Sequence, residues 1–290
     1  VNVLSLFNGM NTCRLALENI GIEVDRYYSS EIKSYAIELT QHHHPDTIQL
    51  GDITEWKNWD IDWGSINLVT SGSPCQDLSI AGASKRQGLK GSRSSLFYVF
   101  VDILKKIRQH NPNVLFFQEN VASASKDDVN AISQALGIIP VKINSSLLTA
   151  QLRNRYYWSN IKTREDLTGQ LYTDILQPKD QGILLKNIIE SGKVTRDKSP
   201  VILERYGWSC SYRDKRSEKA QRYLKTRSEK SFITAVQEDG YLRQFSKVEL
   251  CRLQGFQDNH CDTLEYNQAA RVLGGGWTLP VIEHFFKNIK

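Results

Sequence analysis

The sequence predicts a doubly wound α/β fold, a mostly parallel sheet with helices on both faces, joined to a second, smaller module. Three observations lead there. Over the first 160 residues, short apolar runs alternate with stretches of helical period, as successive βαβ units require. Polar residues recur where each apolar run ends, the edge of an open α/β sheet at which ligands bind. From Lys162 to about Gly240 both periods fade and basic and aromatic residues take over.

Residues 3–7 are an apolar run of strand length that closes on the turn pair Asn8-Gly9. Residues 12–20 follow at helical spacing, with Leu15, Ala16 and Ile20 on one face and Gly21 as the stop. Residues 24–30 form a second strand ending at Glu31, and residues 33–42 a second helix that stops before Pro45. A short strand at 48–50 ends at Gly51-Asp52, and residues 66–70 are a fourth. The clearest helix is 94–110, where Leu96, Phe100, Ile103 and Ile107 make one apolar stripe widened by Phe97 and Leu104. Residues 114–117 are a buried-type strand ending at Glu119-Asn120, followed by a helix at 127–136 and a strand at 138–143. Beyond the polar middle, Ser246 and Glu249 form a capping box that opens a helix running to Gly255. The sequence regains core character from Ala269, with a glycine run before Trp277 and a final apolar helix.

With 290 residues, 40% hydrophobic and 24% charged, the chain can bury one large core and a smaller one. No apolar run approaches the roughly 18 residues of a membrane span, and the N-terminal residues lack the basic start of a signal peptide. A cytoplasmic protein, in a bacterial or phage-infected cell, is expected. Five cysteines with no Cys-x-x-Cys spacing argue against a disulfide framework and a zinc site. The adjacent histidines His42, His43 and His44 point to different faces of a helix end, so no metal is expected. Net charge is +5, but residues 193–230 alone hold twelve Lys or Arg against five Asp or Glu. Tyr206, Trp208, Tyr212 and Tyr223 are interleaved with them, a pattern that suits nucleic acid and equally a solvated helix face.

In a parallel sheet the strand ends converge on one crevice, and Asn8-Gly9, Glu31, Asp52, Cys75 and Glu119 all fall there. A glycine turn lets backbone approach a ligand, and an acidic residue ending the second strand commonly holds ribose hydroxyls. Together they suggest an adenosine-containing ligand; without Gly-x-Gly-x-x-Gly a dinucleotide is disfavoured. Cys75 lies in Ser73-Pro74-Cys75-Gln76-Asp77, a loop at a strand end, and is a candidate nucleophile.

These segments, in this order, resemble the DNA cytosine-5 methyltransferase family. The matching stretches are Leu6-Phe7-Asn8-Gly9-Met10-Asn11-Thr12, Ser73-Pro74-Cys75, Glu119-Asn120-Val121, Gln151-Leu152-Arg153-Asn154-Arg155, residues 249–256 and the glycine turn 274–280. The early part is similar to compact bacterial and phage members and to de novo-type animal enzymes. The resemblance implies a class I S-adenosylmethionine-dependent methyltransferase fold. Residues 1–161 and 266–290 would form the catalytic and cofactor-binding domain, and residues 162–265 a smaller target-recognition domain.

It also implies transfer of a methyl group from S-adenosylmethionine to carbon 5 of a flipped-out cytosine in double-stranded DNA, by a monomer. Addition of the Cys75 thiolate at carbon 6 makes the ring an enamine whose carbon 5 can attack the methyl. Glu119 would hold ring nitrogen 3 and the exocyclic amine, Arg153 would orient the cytosine carbonyl, and Arg155 would position the catalytic loop or a phosphate. The loop 80–95 would close over the base. The donor would lie against Phe7, Gly9, Met10, Thr12, Glu31, Ile32, Asp52, Ile53, Pro74, Leu96, Gly276 and Trp277, with Phe7 stacked on adenine and Glu31 on the ribose. Arg205, Trp208, Tyr212, Arg213 and Arg216 are candidate DNA contacts.

Asn8, Asn11 and Gly275 depart from the family pattern. Two extra amides near the donor raise the alternative of a modified S-adenosylmethionine. An RNA substrate or a catalytically silent DNA-binding protein are further alternatives, the last opposed by the presence of Cys75, Glu119 and Arg153 together.

Overall fold

A computed structural model describes residues 1–74, 96–204, 206 and 216–289. They form two compact units. One comprises Val1–Ile143, Asn154–Gln177 and Ile282–Lys290, the other Asn144–Arg153 and Pro178–Val281. The stretch just after Lys162 belongs to the first unit and the stretch from Tyr266 to Val281 to the second. The cause is pairing: Tyr172 bridges to Ile139 in the first unit, whereas the helix from Tyr266 runs beside the one from Lys247.

The first unit is built on β1 (Asn2–Leu6), β2 (Arg26–Ser30), β3 (Ile48–Gln49), β4 (Leu68–Ser71), β5 (Leu115–Val121) and β6 (Val141–Asn144). β7 (Gln151–Leu152) belongs to the other unit, and β8 (Asn154–Ser159) completes the sheet. The order is β3-β2-β1-β4-β5-β8-β6, a seven-stranded sheet. β1 pairs in parallel with β2 and β4, and β4 with β5, so their C-terminal ends share one edge. β8 runs antiparallel to β5, with Glu119 opposite Tyr157 and Val121 opposite Arg155.

α1 (Thr12–Asn19), α2 (Ser34–His43), α3 (Leu96–His110) and α4 (Lys126–Leu136) connect the strands. The stripe read from the sequence is the buried face of α3: Phe97, Phe100, Val101, Ile103, Leu104 and Ile107. It packs on Leu4, Leu6, Val69, Phe116 and Trp158 of the sheet. Loss of one such ring, as in Phe100→Ala, costs about 3–5 kcal/mol. Phe117 and Tyr157, on the other face, pack on Phe285 and Phe286.

In the second unit, α5 (Glu218–Glu229), α6 (Lys247–Gln254) and α7 (Tyr266–Gly275) precede α8 (Leu279–Phe286), whose end returns to the first unit. The capping box at Ser246 and Glu249 forms as predicted, and α6 ends on Gly255.

Candidate active site

The turn after β1 is made by backbone that few residues adopt. Phe7, Gly9 and Asn11 all have positive φ, at 56°, 60° and 62°. At Gly9 the demand is conformational, since a Cβ there would meet only the Phe7 carbonyl at 3.8 Å. Glu31, at the end of β2, ties this turn to the next: its Oε2 accepts from the Gly9 amide at 2.9 Å. Oε1 accepts from the amides of Ile32 and Lys33 at 2.8 and 3.0 Å. A carboxylate has about four lone-pair sites, so one remains for a hydroxyl. Asp52 caps the short 3-10 turn after β3 by accepting from the Thr54 amide at 2.9 Å. Met10, Thr12 and Ile53 are buried, Phe7 and Leu96 pack on the sheet core, and Ile32 is 71% exposed. Two glycine-type turns, two strand-end carboxylates and an apolar floor suit an adenosine with a charged tail.

The two extra amides face inward. Asn8 Nδ2 donates to Thr40 Oγ1 at 3.2 Å, and its Oδ1 accepts from the Tyr27 hydroxyl at 2.9 Å. Asn11 Nδ2 meets His44 Nδ1 at 2.8 Å. The Asn8 amide is fully engaged inside the first unit, whereas Asn11 keeps a buried Oδ1 with no partner among the described residues.

Glu119 projects from the end of β5 and is nearly buried. The guanidinium of Arg155, on β8, reaches it diagonally: Nε to Oε1 is 2.7 Å. Residues two apart on antiparallel neighbours share a face, so the Glu119↔Tyr157 register puts this pair together. Arg155 Nη1 also donates to the Asn154 carbonyl at 2.8 Å. On the opposite face of β5, Gln118 and Asn120 both donate to Ser73 Oγ, at 3.0 and 3.4 Å. Ser73 and the half-buried Pro74 lead directly into Cys75, which lies outside the described residues.

Arg153 lies in the other unit and is 3% exposed. Its Nη2 donates to the Gly276 carbonyl at 2.7 Å, and its Nη1 to the carbonyls of Gly274 and Ile202 at 3.2 and 3.4 Å. Gly274 must be glycine, because a Cβ would run into the Leu203 backbone. Gln151 braces the neighbouring Ile202 segment: its Oε1 accepts from the Ile202 amide at 3.0 Å. Glu249, fully buried in α6, accepts from both terminal nitrogens of Arg243 at 2.8 and 2.9 Å. Gly276 and Trp277 belong to this unit, and the other residues expected at the donor belong to the first.

Cys13, Cys251 and Cys261 are reduced and buried. Burial pushes the Cys13 thiol up to about 12, against weaker opposing bonds from Thr70 and Tyr27, so it is no nucleophile near neutral pH. Among the described residues no group of three or more His, Cys, Asp or Glu could hold a metal ion. No described helix is long and apolar enough to cross a membrane. The loop 80–95 and Arg205, Trp208, Tyr212 and Arg213 lie outside the described residues. Arg216 stacks on Tyr241, 5.1 Å from the ring centre.

The family model for C-5 cytosine-specific DNA methylase matches residues 1–151, just over half of the chain. The chain belongs to this family. Among curated members it is 30% identical over 177 residues to the orphan methyltransferase M.Rho11sI of Bacillus phage rho11s, covering 58% of this chain and 34% of that one. It is 27% identical over 314 residues to the type II methyltransferase M.NlaX of Neisseria lactamica, covering 99% and 96%. The chain spans between a third and a half of the length of several other curated relatives it matches. The fold is that of the Entamoeba histolytica methyltransferase EhMeth, with a TM-score of 0.67 at 16% identity, covering 100% and 99% of the two chains.

Sequence reasoning missed β8 and the amides beneath Ser73. Residues Tyr157, Trp158 and Ser159 are buried in succession, so β8 has no alternating pattern to read. Gln118 sits inside an apolar run and gives no signal except its polarity.

Proposed function

We propose that the chain methylates carbon 5 of cytosine in double-stranded DNA, with S-adenosylmethionine as donor and Cys75 as nucleophile. The observation that carries the reading is the Glu119–Arg155 pair, at 2.7 Å, beside the strand end that leads to Ser73-Pro74-Cys75 in a chain of this family. The donor, held by Gly9, Glu31, Asp52 and the apolar floor of Met10 and Ile53, supplies an electrophilic methyl.

The Cys75 thiolate adds to carbon 6, and the electron pair of the 5,6 double bond moves into the ring. Arg155 fixes Glu119 Oε1, which orients the carboxyl toward ring nitrogen 3 and the exocyclic amine. The electron pair returns through carbon 5, which takes the methyl as the methyl–sulfur bond of the donor breaks and its pair stays on sulfur, leaving S-adenosylhomocysteine. Loss of the carbon 5 proton to a base then expels the thiolate and restores the aromatic ring. Because a target inside the duplex is unreachable, the base is extruded.

The role of holding the cytosine carbonyl passes from Arg153 to Arg155 in this reading. Arg155 is the arginine beside Glu119, whereas Arg153 donates to three main-chain carbonyls. The basic, aromatic stretch 193–230 supplies phosphate contacts.

Bisulfite sequencing of DNA from a host expressing the chain tests this. Methylated cytosines at one recurring sequence, missing with Cys75→Ala, are expected. Unmodified DNA from the wild-type host would refute it.

A further inference from the structure

We propose that Gln118 is a positioning residue for the methyl-transfer reaction: its side-chain amide locks the start of the Cys75 loop onto the backbone of Glu119. The inference rests on the function proposed above.

Gln118 is fully buried in the middle of the sheet, on β5, where an apolar side chain would ordinarily stand. One nitrogen serves two acceptors. Nε2 donates to Ser73 Oγ at 3.0 Å and to the main-chain carbonyl of Glu119 at 2.7 Å. The second contact fixes the orientation of the amide, because a carbonyl can only accept. Asn120 is fixed in the same way: its Oδ1 accepts from the Val121 amide at 2.8 Å, which leaves Nδ2 to donate to Ser73 Oγ at 3.4 Å. Two amides that flank Glu119 in sequence therefore converge on one hydroxyl. That hydroxyl belongs to the residue two places before Cys75. Strand alternation sends Glu119 to the opposite face of β5, so the catalytic carboxyl is left to Arg155 while its neighbours hold the loop.

The arrangement is not what stability alone would select. Gln118 Oε1 is buried with no hydrogen-bond partner among the described residues. So is Ser71 Oγ, in the residue registered opposite Gln118 on β4. An unmatched buried acceptor is unfavourable, and an apolar residue of the same size would remove it. A buried amide that leaves its own acceptor unmatched, and that bridges the two segments of the site, is explained by positioning. Reacting groups must be held to a fraction of an ångström, and a small displacement of the thiol from carbon 6 slows addition steeply.

The test uses the full chain, S-adenosylmethionine and a duplex carrying 5-fluorocytosine at the target, which blocks loss from carbon 5 and traps the adduct. For Gln118→Leu, assayed at a temperature where it is folded, we expect adduct formation slowed about tenfold or more, with KM for DNA and donor within twofold of wild type. Ser73→Ala slows the same step, and the double variant is no slower than the slower single one, because both remove the same link. Gln118→Glu keeps the shape but carries a donor proton only when neutral. Its rate relative to wild type should rise as pH falls. The proposal is overturned if Gln118→Leu traps at the wild-type rate, if its rate falls only in step with Tm, if the Ser73 and Gln118 effects multiply, or if the Gln118→Glu ratio is flat with pH. A wild-type protein that forms no adduct overturns the parent reading and this inference with it. Trapping by wild type with no change in the variants overturns the inference alone.

Discussion

Arg153 and Arg155 are separated by one residue, yet they lie in different units and meet different chemistry. Arg155 is on a sheet strand with its guanidinium on the carboxylate of Glu119. Arg153 faces main-chain carbonyls of a glycine turn whose backbone approaches its neighbour too closely for any side chain. The first arrangement places two charges at a strand edge where a base could be held. The second replaces water around a buried turn. A contiguous motif can thus serve two ends, and residue type does not say which arginine serves which.

Several variants can break or sharpen that contrast. The largest effect belongs to Cys75→Ala, which removes the proposed nucleophile. Methylation of target DNA should fall by at least about 10³-fold, with donor binding retained by calorimetry. Residual methylation near wild type would remove the covalent step from the account. Next is Glu119→Gln, which keeps the shape of the carboxyl but loses its charge. A drop of about 10²–10³-fold in single-turnover rate is expected, the range for loss of one proton-transfer group, with Tm little changed because the surrounding fold is intact.

Arg153→Met has the opposite profile. Its loss takes a donor from the carbonyls of Ile202, Gly274 and Gly276, of which Gly276 keeps only a long contact from Gln254 at 3.5 Å, so about 3 kcal/mol of stability should go. A denaturation midpoint unchanged from wild type would mean that the turn is held by its other contacts alone. Smallest is Arg14→Met, a control in which a buried arginine pairs with two carboxylates that face solvent. Arg14 binds Glu18 at 2.6 Å and Asp46 at 3.0 Å. Burial opposes ionisation of both carboxyls, but hydrogen bonds from Arg14 hold each below its usual value, with His44 adding to the effect on Glu18. Depressed carboxyl values stabilise the fold above the unfolded value near about pH 4 and lose that contribution as pH falls through the folded ones. Arg14→Met should therefore cost within about 1 kcal/mol at pH 7, and the gap to wild type should close below about pH 4. A gap that widens in acid would contradict the assignment.

Most of the fold was legible in the sequence because its signals are local. The strand of Leu4 and Leu6, the stripe of Phe100, Ile103 and Ile107, and the box of Ser246 and Glu249 each follow from spacing within one turn or one strand. What was not legible depends on partners distant in the chain. β8 lacks alternation because both faces of the sheet are covered there, with Trp158 in the core beneath α3 and Tyr157 against Phe285. The inward engagement of Asn8 and Asn11 depends on Tyr27, Thr40 and His44, which no pattern around the turn announces. The different partners of the two arginines go with a unit boundary that falls between residues 153 and 154.

The most direct measurement is a paired one: single-turnover methylation and thermal denaturation of Arg155→Leu and Arg153→Met, at a temperature where both are folded. The account expects Arg155→Leu to lose about 10²-fold or more in rate with its Tm close to wild type. It expects Arg153→Met to keep a rate within a few-fold of wild type while its Tm falls. The reverse pattern, with Arg155→Leu active and unstable and Arg153→Met stable and inactive, would contradict it.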